Sequence, residues 1–143
     1  MQVLTMPNFW LLKTEPSTYS YSDLESDRTT VWNGVANALA LKHLRSMKKG
    51  DLAFIYHTGN EKQIVGIARI ASDAYPDPKE NDPRLVVVDL KAHAKLTRAV
   101  TLAEIKKQKE FADFALVRMG RLSVMPVTEQ NWRHLCKMAG QAG

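Results

Sequence analysis

The sequence predicts one α+β domain, a curled and mostly antiparallel β-barrel with helices packed at its openings. Its 143 residues are the usual size of one domain. The predicted strands and helices do not alternate regularly, which disfavours a doubly wound parallel sheet and favours a small barrel. No linker or repeat divides the chain, so we expect a single domain over residues 1–143, with short tails at 1–7 and 140–143.

The composition limits the classes of function. Lysine and arginine total 20 against 15 acidic residues, and this net charge of +5 suits phosphate-bearing partners. One cysteine excludes an intramolecular disulfide, and four histidines without ligand spacing disfavour a metal site. Met1–Pro7 lacks the pattern of a signal peptide, and no apolar stretch is long enough to span a bilayer. We therefore expect a cytoplasmic protein, or a nuclear one in a eukaryote, without membrane contact.

The first third of the chain predicts a strand followed by helices. Phe9–Lys13 is short, apolar and aromatic, as strands are. Ser22 and Glu25 have the spacing of a capping box, which predicts one helical turn. Apolar residues at helical spacing predict a helix over Val35–Met47, which ends before Gly50.

The middle of the chain predicts the main part of the sheet. Asp51–His57 and Gln63–Ile70 read as strands joined by a turn that contains glycine and asparagine. Asp73–Pro83 carries three prolines and several acids, which is typical of an exposed loop. Leu85–Leu96 follows as a long strand.

The last third predicts two capped helices around one strand. Thr101 with Glu104 three residues later is a capping box. Leu122–Val127 reads as a strand, and Thr128 caps the final helix. The residues predicted to form the buried face of that helix are Trp132, Leu135, Cys136 and Ala139.

Four segments are unusually polar and aromatic for scaffold. They are Trp10 with residues 13–16, Tyr19 and Tyr21; residues 31–35 with Asn37; residues 56–58; and Arg118 with residues 121–123. A site for an extruded base needs an aromatic plate, donors and acceptors for the base edge, and cations for flanking phosphates. Such segments can supply all three.

The candidate plate is Trp32, because the nearby Gly34 lets the backbone approach a ligand closely. The candidates for reading the polar edge of the base are Asn33, Thr14 and Thr58. Lys13 and Arg121 are the candidates for holding phosphate.

Other interpretations stay open. Trp10 and Trp32 can be packed core residues, and His57 a hydrogen-bonded structural histidine. The sequence has no nucleophile elbow, Gly-rich phosphate loop or zinc-deaminase signature, but Glu15 and His57 can form a general acid–base couple. Three hypotheses follow: a non-catalytic reader of a modified base; an enzyme or enzyme accessory acting on modified nucleotides; and a protein-interaction module with a vestigial pocket.

An ordered set of short motifs resembles the EVE domain family. The set includes FWLLKTEP at residues 9–16, WNGV at 32–35 with Asn37, KGD at 49–51, YHT at 56–58 and RLSVMPV at 121–127. It runs from about Phe9 to Met138, nearly the whole chain. Each motif alone is weak, and their order makes the resemblance specific.

The resemblance implies a PUA-like β-barrel, related to YTH domains and to thymocyte nuclear protein. Members of the family are regarded as binders of modified bases, with modified cytosine in DNA favoured and RNA possible. The resemblance therefore implies nucleic acid as the partner. We expect no cofactor, no metal and no catalytic residue. By position, it implies that the ligand-binding residues are Trp32, Asn33, Gly34, Lys13, Thr14, Tyr56, His57, Thr58, Arg121 and Ser123.

The chain departs from the family pattern in and before the predicted helix. Thr14 stands where the family often has serine, and Asn33 where it often has aspartate. Ala36 replaces a common arginine. Leu39, Leu41 and Lys42 replace glutamine, arginine and asparagine. The change at Asn33 adds hydrogen-bond donors, which can alter base preference.

Overall fold

The computed structural model describes residues 7–141. The predicted tails fall mainly on residues 1–6 and 142–143, which lie outside the described residues. None of the helices described is long and apolar enough to cross a membrane.

Seven strands and five α-helices form the described chain. The strands are β1 (Phe9–Thr14), β2 (Thr29–Trp32), β3 (Leu52–His57), β4 (Gln63–Ile70), β5 (Tyr75–Pro76), β6 (Val86–Thr101) and β7 (Val124–Val127). The helices are α1 (Tyr21–Asp27), α2 (Ala38–Ser46), α3 (Leu102–Lys106), α4 (Ala115–Arg118) and α5 (Glu129–Met138), with a 3-10 helix over Lys109–Phe111.

The strands form one mixed sheet in the order β2-β6-β4-β3-β1-β7, with β5 paired to β6. The pairing of β1 with β3 is parallel, and the other pairings are antiparallel. The predicted α+β class and mostly antiparallel sheet are therefore confirmed. The sheet is curled but not closed into a complete barrel, because β2 and β7 remain its two edges.

Irregularities in β4 and β6 bend the sheet. The register of β4 shifts between Ile64 and Gly66 against β6, and again beyond Ile67. The pairing of β3 with β4 shifts between Ile55 and Tyr56, at the same level. A bulge bends its strand and increases the local twist. The sheet therefore curls at the level of Gly66.

Helix α1 is fixed to the sheet by Tyr21, whose ring lies directly on Gly66. A Cβ atom built on Gly66 would lie 2.4 Å from the ring carbon Cε1 of Tyr21, too close for any side chain. The Tyr21 hydroxyl donates to the carbonyl of Ile67 at 2.8 Å. The backbone N–H of Tyr21 donates to Nε2 of His57 at 3.0 Å. One residue therefore connects α1 to both β3 and β4.

Two aromatic residues anchor the rest of the core. Trp132 of α5 stacks on Phe54, with 3.9 Å between ring centroids, and on Phe9 at 4.6 Å. The predicted apolar face of this helix is confirmed as buried. The indole N–H of Trp10 donates to the buried carboxylate of Asp51, which also accepts from backbone amides. Trp10 is thus a core residue.

Several element boundaries differ from the prediction. The N-cap of α1 is Ser20, with Asp23 as its capping-box partner, so the predicted cap at Ser22 was wrong. Helix α2 begins at Ala38 and not at Val35, because Asn37 adopts extended backbone angles and caps the helix. Strand β2 and helix α4 were not predicted; both are only four residues long.

We predict that Gly66→Ala lowers the free energy of unfolding by about 1–3 kcal/mol or more, because the new methyl group overlaps the Tyr21 ring. Denaturant unfolding measures the change. Gly120→Ala is the matched control, because Gly120 has no atom within 4 Å of a built Cβ and needs no positive φ. Equal stability of the two variants would contradict the close packing of Tyr21.

Candidate functional site

The main cleft in the described part of the chain has a volume of about 560 Å³. Its walls come from β1, the following turn, β2, the residues that follow β2 and the residue that precedes β7. The lining residues are Lys13, Thr14, Glu15, Thr18, Tyr19, Thr30, Val31, Trp32, Asn33, Gly34, Val35, Ala36 and Ser123.

The cleft lies where the two edges of the curled sheet approach each other. Strand β2 is one edge, and it contributes Thr30, Val31 and Trp32. Strand β7 is the other edge, and Ser123 directly precedes it. The cleft is therefore the gap that a fully closed barrel would not have.

Trp32 forms a largely buried wall of the cleft. It ends β2, opposite Val88 of β6, and 9% of its surface is exposed. The ring of Tyr19 meets it edge-on, with 6.3 Å between centroids and 79° between planes. The Tyr19 hydroxyl donates to Asp27 at 2.8 Å, and its carbonyl accepts from the Thr14 hydroxyl at 2.6 Å. Burial raises the pKa of the Tyr19 hydroxyl. Two aromatic rings are thus held at a fixed angle.

Residues 33–36 form an open polar rim beside Trp32. Gly34 has a φ of +79°, which favours glycine and turns the chain away from the strand. Among the described residues, no hydrogen bond engages the backbone amides or carbonyls of residues 33–36. Asn33 is exposed next to them. This rim therefore presents backbone donors and acceptors, and one side-chain amide, to the cleft.

Lys13 joins the cleft to the loop that precedes β7. Its Nζ donates to the carbonyl of Gly120 at 2.8 Å and lies 5.6 Å from the ring centroid of Tyr56. Its backbone N–H donates to the carbonyl of Ser123 at 2.9 Å. Partial burial lowers the pKa of the Lys13 ammonium group. The side chain is thus a half-buried cation that also braces residues 120–123.

Six of the ten predicted ligand-binding residues line the cleft: Trp32, Asn33, Gly34, Lys13, Thr14 and Ser123. The other four do not line it. Tyr56 is buried, near Lys13. Thr58 donates to the carbonyl of Thr14 and to the carboxylate of Glu15, which places it behind the wall. Arg121 lines a neighbouring cleft.

His57 is buried with both ring nitrogens engaged. Nε2 accepts from the backbone N–H of Tyr21, so Nδ1 carries the proton and donates to Glu61 at 2.9 Å. Glu15 is exposed, and its pKa is lowered mainly by hydrogen bonds from the backbone and side chain of Ser17. The two members of the candidate acid–base couple are thus each committed to other partners. The described residues contain no cluster of metal-ligating side chains.

Sequence reasoning missed Thr30 as a residue of the cleft, because strand β2 was not predicted; Val31 lay in a candidate segment but was given no role. The β-branched run at residues 29–31 was the available signal.

The departures from the family pattern fall in four environments. Asn33 and Ala36 line the cleft, and Leu39 lines the neighbouring one. Leu41 is buried in the core, and Lys42 is exposed away from both linings. Thr14 also lines the main cleft, so Thr14, Asn33 and Ala36 are the departures that can change its chemistry directly.

Comparison with known proteins finds a family match, sequence relatives and structures of the same fold. The EVE domain family matches residues 8–138. Thymocyte nuclear protein 1 of Rattus norvegicus is 32% identical, over 89% of this chain and 71% of the relative. A protein of Rhodopseudomonas palustris solved by NMR is 44% identical and superposes with a TM-score of 0.89, covering 93% of each chain.

One similar structure contains DNA. The human THYN1 protein in complex with 5-methylcytosine containing DNA is 29% identical, with a TM-score of 0.85, and the match covers 95% of this chain and 99% of that one. An ASCH protein of Zymomonas mobilis, at 12% identity and a TM-score of 0.59, shares the fold alone.

We predict that His57→Ala destabilises the domain by about 1–3 kcal/mol, because it leaves the buried N–H of Tyr21 without an acceptor. Thermal unfolding measures the loss. His57→Gln offers a replacement acceptor and should recover part of it. An unchanged melting temperature in His57→Ala would contradict this structural role.

Proposed function

This chain belongs to the EVE domain family, and from that premise we propose that its cleft binds a modified base in nucleic acid without catalysis. Modified cytosine in DNA is the favoured ligand. The observation that carries the proposal is the cleft itself, with Trp32 as its aromatic wall and the polar rim at residues 33–36. The 5-methylcytosine containing DNA in the human THYN1 complex supports the choice of ligand.

The dimensions and chemistry of the cleft suit one flipped base. Its volume of about 560 Å³ lies within the range of small-ligand sites, about 300–1,000 Å³. A flipped base is read by stacking on aromatic side chains and by hydrogen bonds to its polar edge. Trp32 supplies a stacking face, and the Tyr19 ring limits the pocket at its side.

The rim at residues 33–36 is suited to reading the base edge. Cytosine offers an amino donor together with ring-nitrogen and carbonyl acceptors on its pairing edge. The Asn33 amide has both donors and an acceptor, whereas an aspartate would only accept. Thr14 donates its hydroxyl proton to Tyr19, which leaves the oxygen lone pairs as acceptors. We therefore assign Asn33 and the backbone amides beside it to edge recognition.

We assign the phosphate contacts to two cations, Lys13 of the main cleft and Arg121 of the neighbouring cleft. Arg121 is exposed, and among the described residues it forms no ion pair. Lys13 is partly withdrawn, because its ammonium group already donates to Gly120. We assign backbone binding chiefly to Arg121, and to Lys13 a shared role as phosphate contact and brace.

The arrangement favours a reader over an enzyme. A general base must be free to take a proton from its substrate. Both nitrogens of His57 are engaged, and the Glu15 carboxylate accepts hydrogen bonds from Ser17 and Thr58. These commitments suit a binding site whose walls are held rigid.

We predict that Trp32→Ala weakens binding of an oligonucleotide containing 5-methylcytosine about 5- to 150-fold, because stacking contributes roughly 1–3 kcal/mol per base. Trp32→Phe should retain much of the affinity. Because Trp32 is 9% exposed, melting and binding must be measured on the same variant. Unchanged affinity in the folded fraction of Trp32→Ala would contradict the stacking role.

The ligand is tested by a panel of oligonucleotides at fixed salt. DNA and RNA strands with plain or modified bases, single-stranded and paired, are compared by fluorescence anisotropy. We expect the tightest binding to DNA that contains modified cytosine. Equal affinity for plain and modified strands would contradict the proposed function, and preference for modified RNA would redirect it.

We predict that Arg121→Ala weakens binding similarly for all sequences and reduces the slope of log affinity against log salt by about one unit. Anisotropy titrations at several salt concentrations measure the slope. Lys107→Ala is the control, because Lys107 is exposed at the end of α3 and lines neither cleft. An effect confined to one modified base would exclude a phosphate contact.

A further inference from the structure

A second cleft of about 370 Å³ adjoins the first. Its lining residues are Asn37, Leu39, Arg118, Met119, Gly120, Arg121 and Leu122. It shares two boundaries with the main cleft, because Asn37 follows Ala36 and Leu122 precedes Ser123. The hydrogen bond from Lys13 to the Gly120 carbonyl ties the two together.

Met119 is an exposed apolar side chain on a fixed backbone. Its side chain is 44% exposed, and Val31 on β2 is the other large hydrophobic residue that is comparably exposed in the described chain. The backbone N–H of Met119 donates to Ala115 at 2.8 Å, and its carbonyl accepts from Leu122 at 3.0 Å. The side chain is therefore presented to solvent by a backbone that is held in place.

We propose that Met119 is a wedge that enters the base stack of a DNA duplex at the step left open by the base in the main cleft. This inference rests on the proposed function and adds to it that the protein takes its base from paired DNA. Base extrusion costs stacking energy, and minor-groove binding proteins commonly place an apolar side chain between unstacked steps. The duplex neighbours of the flipped base are thus the occupants of this second cleft.

Met119 suits this role better than Val31, the other exposed large hydrophobic residue of the described chain. Its side chain is long, unbranched and polarizable, so it adapts to an irregular gap between base pairs. Val31 is short and stiff at χ1, and it lies on an edge strand inside the main cleft lining. Met119 lies outside that lining but beside it.

The charge around Met119 fits a duplex. Arg118 and Arg121 flank it, and both are exposed. Arg118 pairs with Asp113 at 3.3 Å, and both side chains are largely exposed, so phosphate can replace that partner at little cost. An apolar side chain between two cations matches an apolar base stack between two charged backbones.

The test compares Met119→Ala and Met119→Leu with the wild-type protein. The probes are a DNA strand with one central 5-methylcytosine, alone and as a duplex, each with 2-aminopurine beside the modified base. Anisotropy gives affinity, and 2-aminopurine fluorescence reports unstacking. Surface substitutions of this kind usually change stability by no more than about 0.5 kcal/mol, so both variants should fold.

We expect Met119→Ala to bind the duplex about tenfold more weakly, and to bind the single strand within about twofold of wild type. Met119→Leu should stay near wild type on both probes. Equal loss on both probes, or loss on neither, would overturn the wedge while leaving the base reader intact. Failure of the wild-type protein to prefer modified over plain strands would overturn both the wedge and the base reader. This preference is measured on the wild-type protein alone.

Discussion

The contact between Tyr21 and Gly66 is the constraint on which the arrangement of the site depends. The ring lies on the glycine at the level where the sheet bends, and its hydroxyl and backbone N–H bind neighbouring strands. The turn that leads into α1 carries Tyr19, whose ring meets Trp32. Curvature of the sheet and position of the cleft wall are therefore set together, by a position where only glycine fits.

The cleft exists because the curl of the sheet stops short of closure. Its two edges come close enough to share a cavity, and residues of β1 and of the turn after Thr14 complete the lining. The side chains behind the wall, including His57 and Thr58, hold that turn in place. A site of this kind has rigid walls and a free rim, which suits recognition of shape and polar edge more than proton transfer.

Local signals in the sequence predicted local structure well. The caps at Thr101 and Thr128 are where the sequence predicts them, because a helix cap depends on only a few neighbouring residues. The first cap lies at Ser20, two residues before the predicted one. Strand β3 could not reveal which residues face the cleft, since Ala53–His57 are buried on both faces. The directions of Tyr56 and Arg121 depend on a bulge and on a loop that meets the sheet from far along the chain. Contacts between residues so far apart in the chain produce no periodic pattern in the sequence from which they could be predicted.

The cleft is assembled from segments that are more than 100 residues apart in the chain, from Lys13 to Ser123. No partial unfolding that separates the two sheet edges can leave it intact, so occupancy is linked to the cooperative stability of the entire domain. A ligand at one hundred times its dissociation constant would then stabilise the native state by about 2.7 kcal/mol. Such linkage makes the melting transition itself a label-free sensor of what the protein binds.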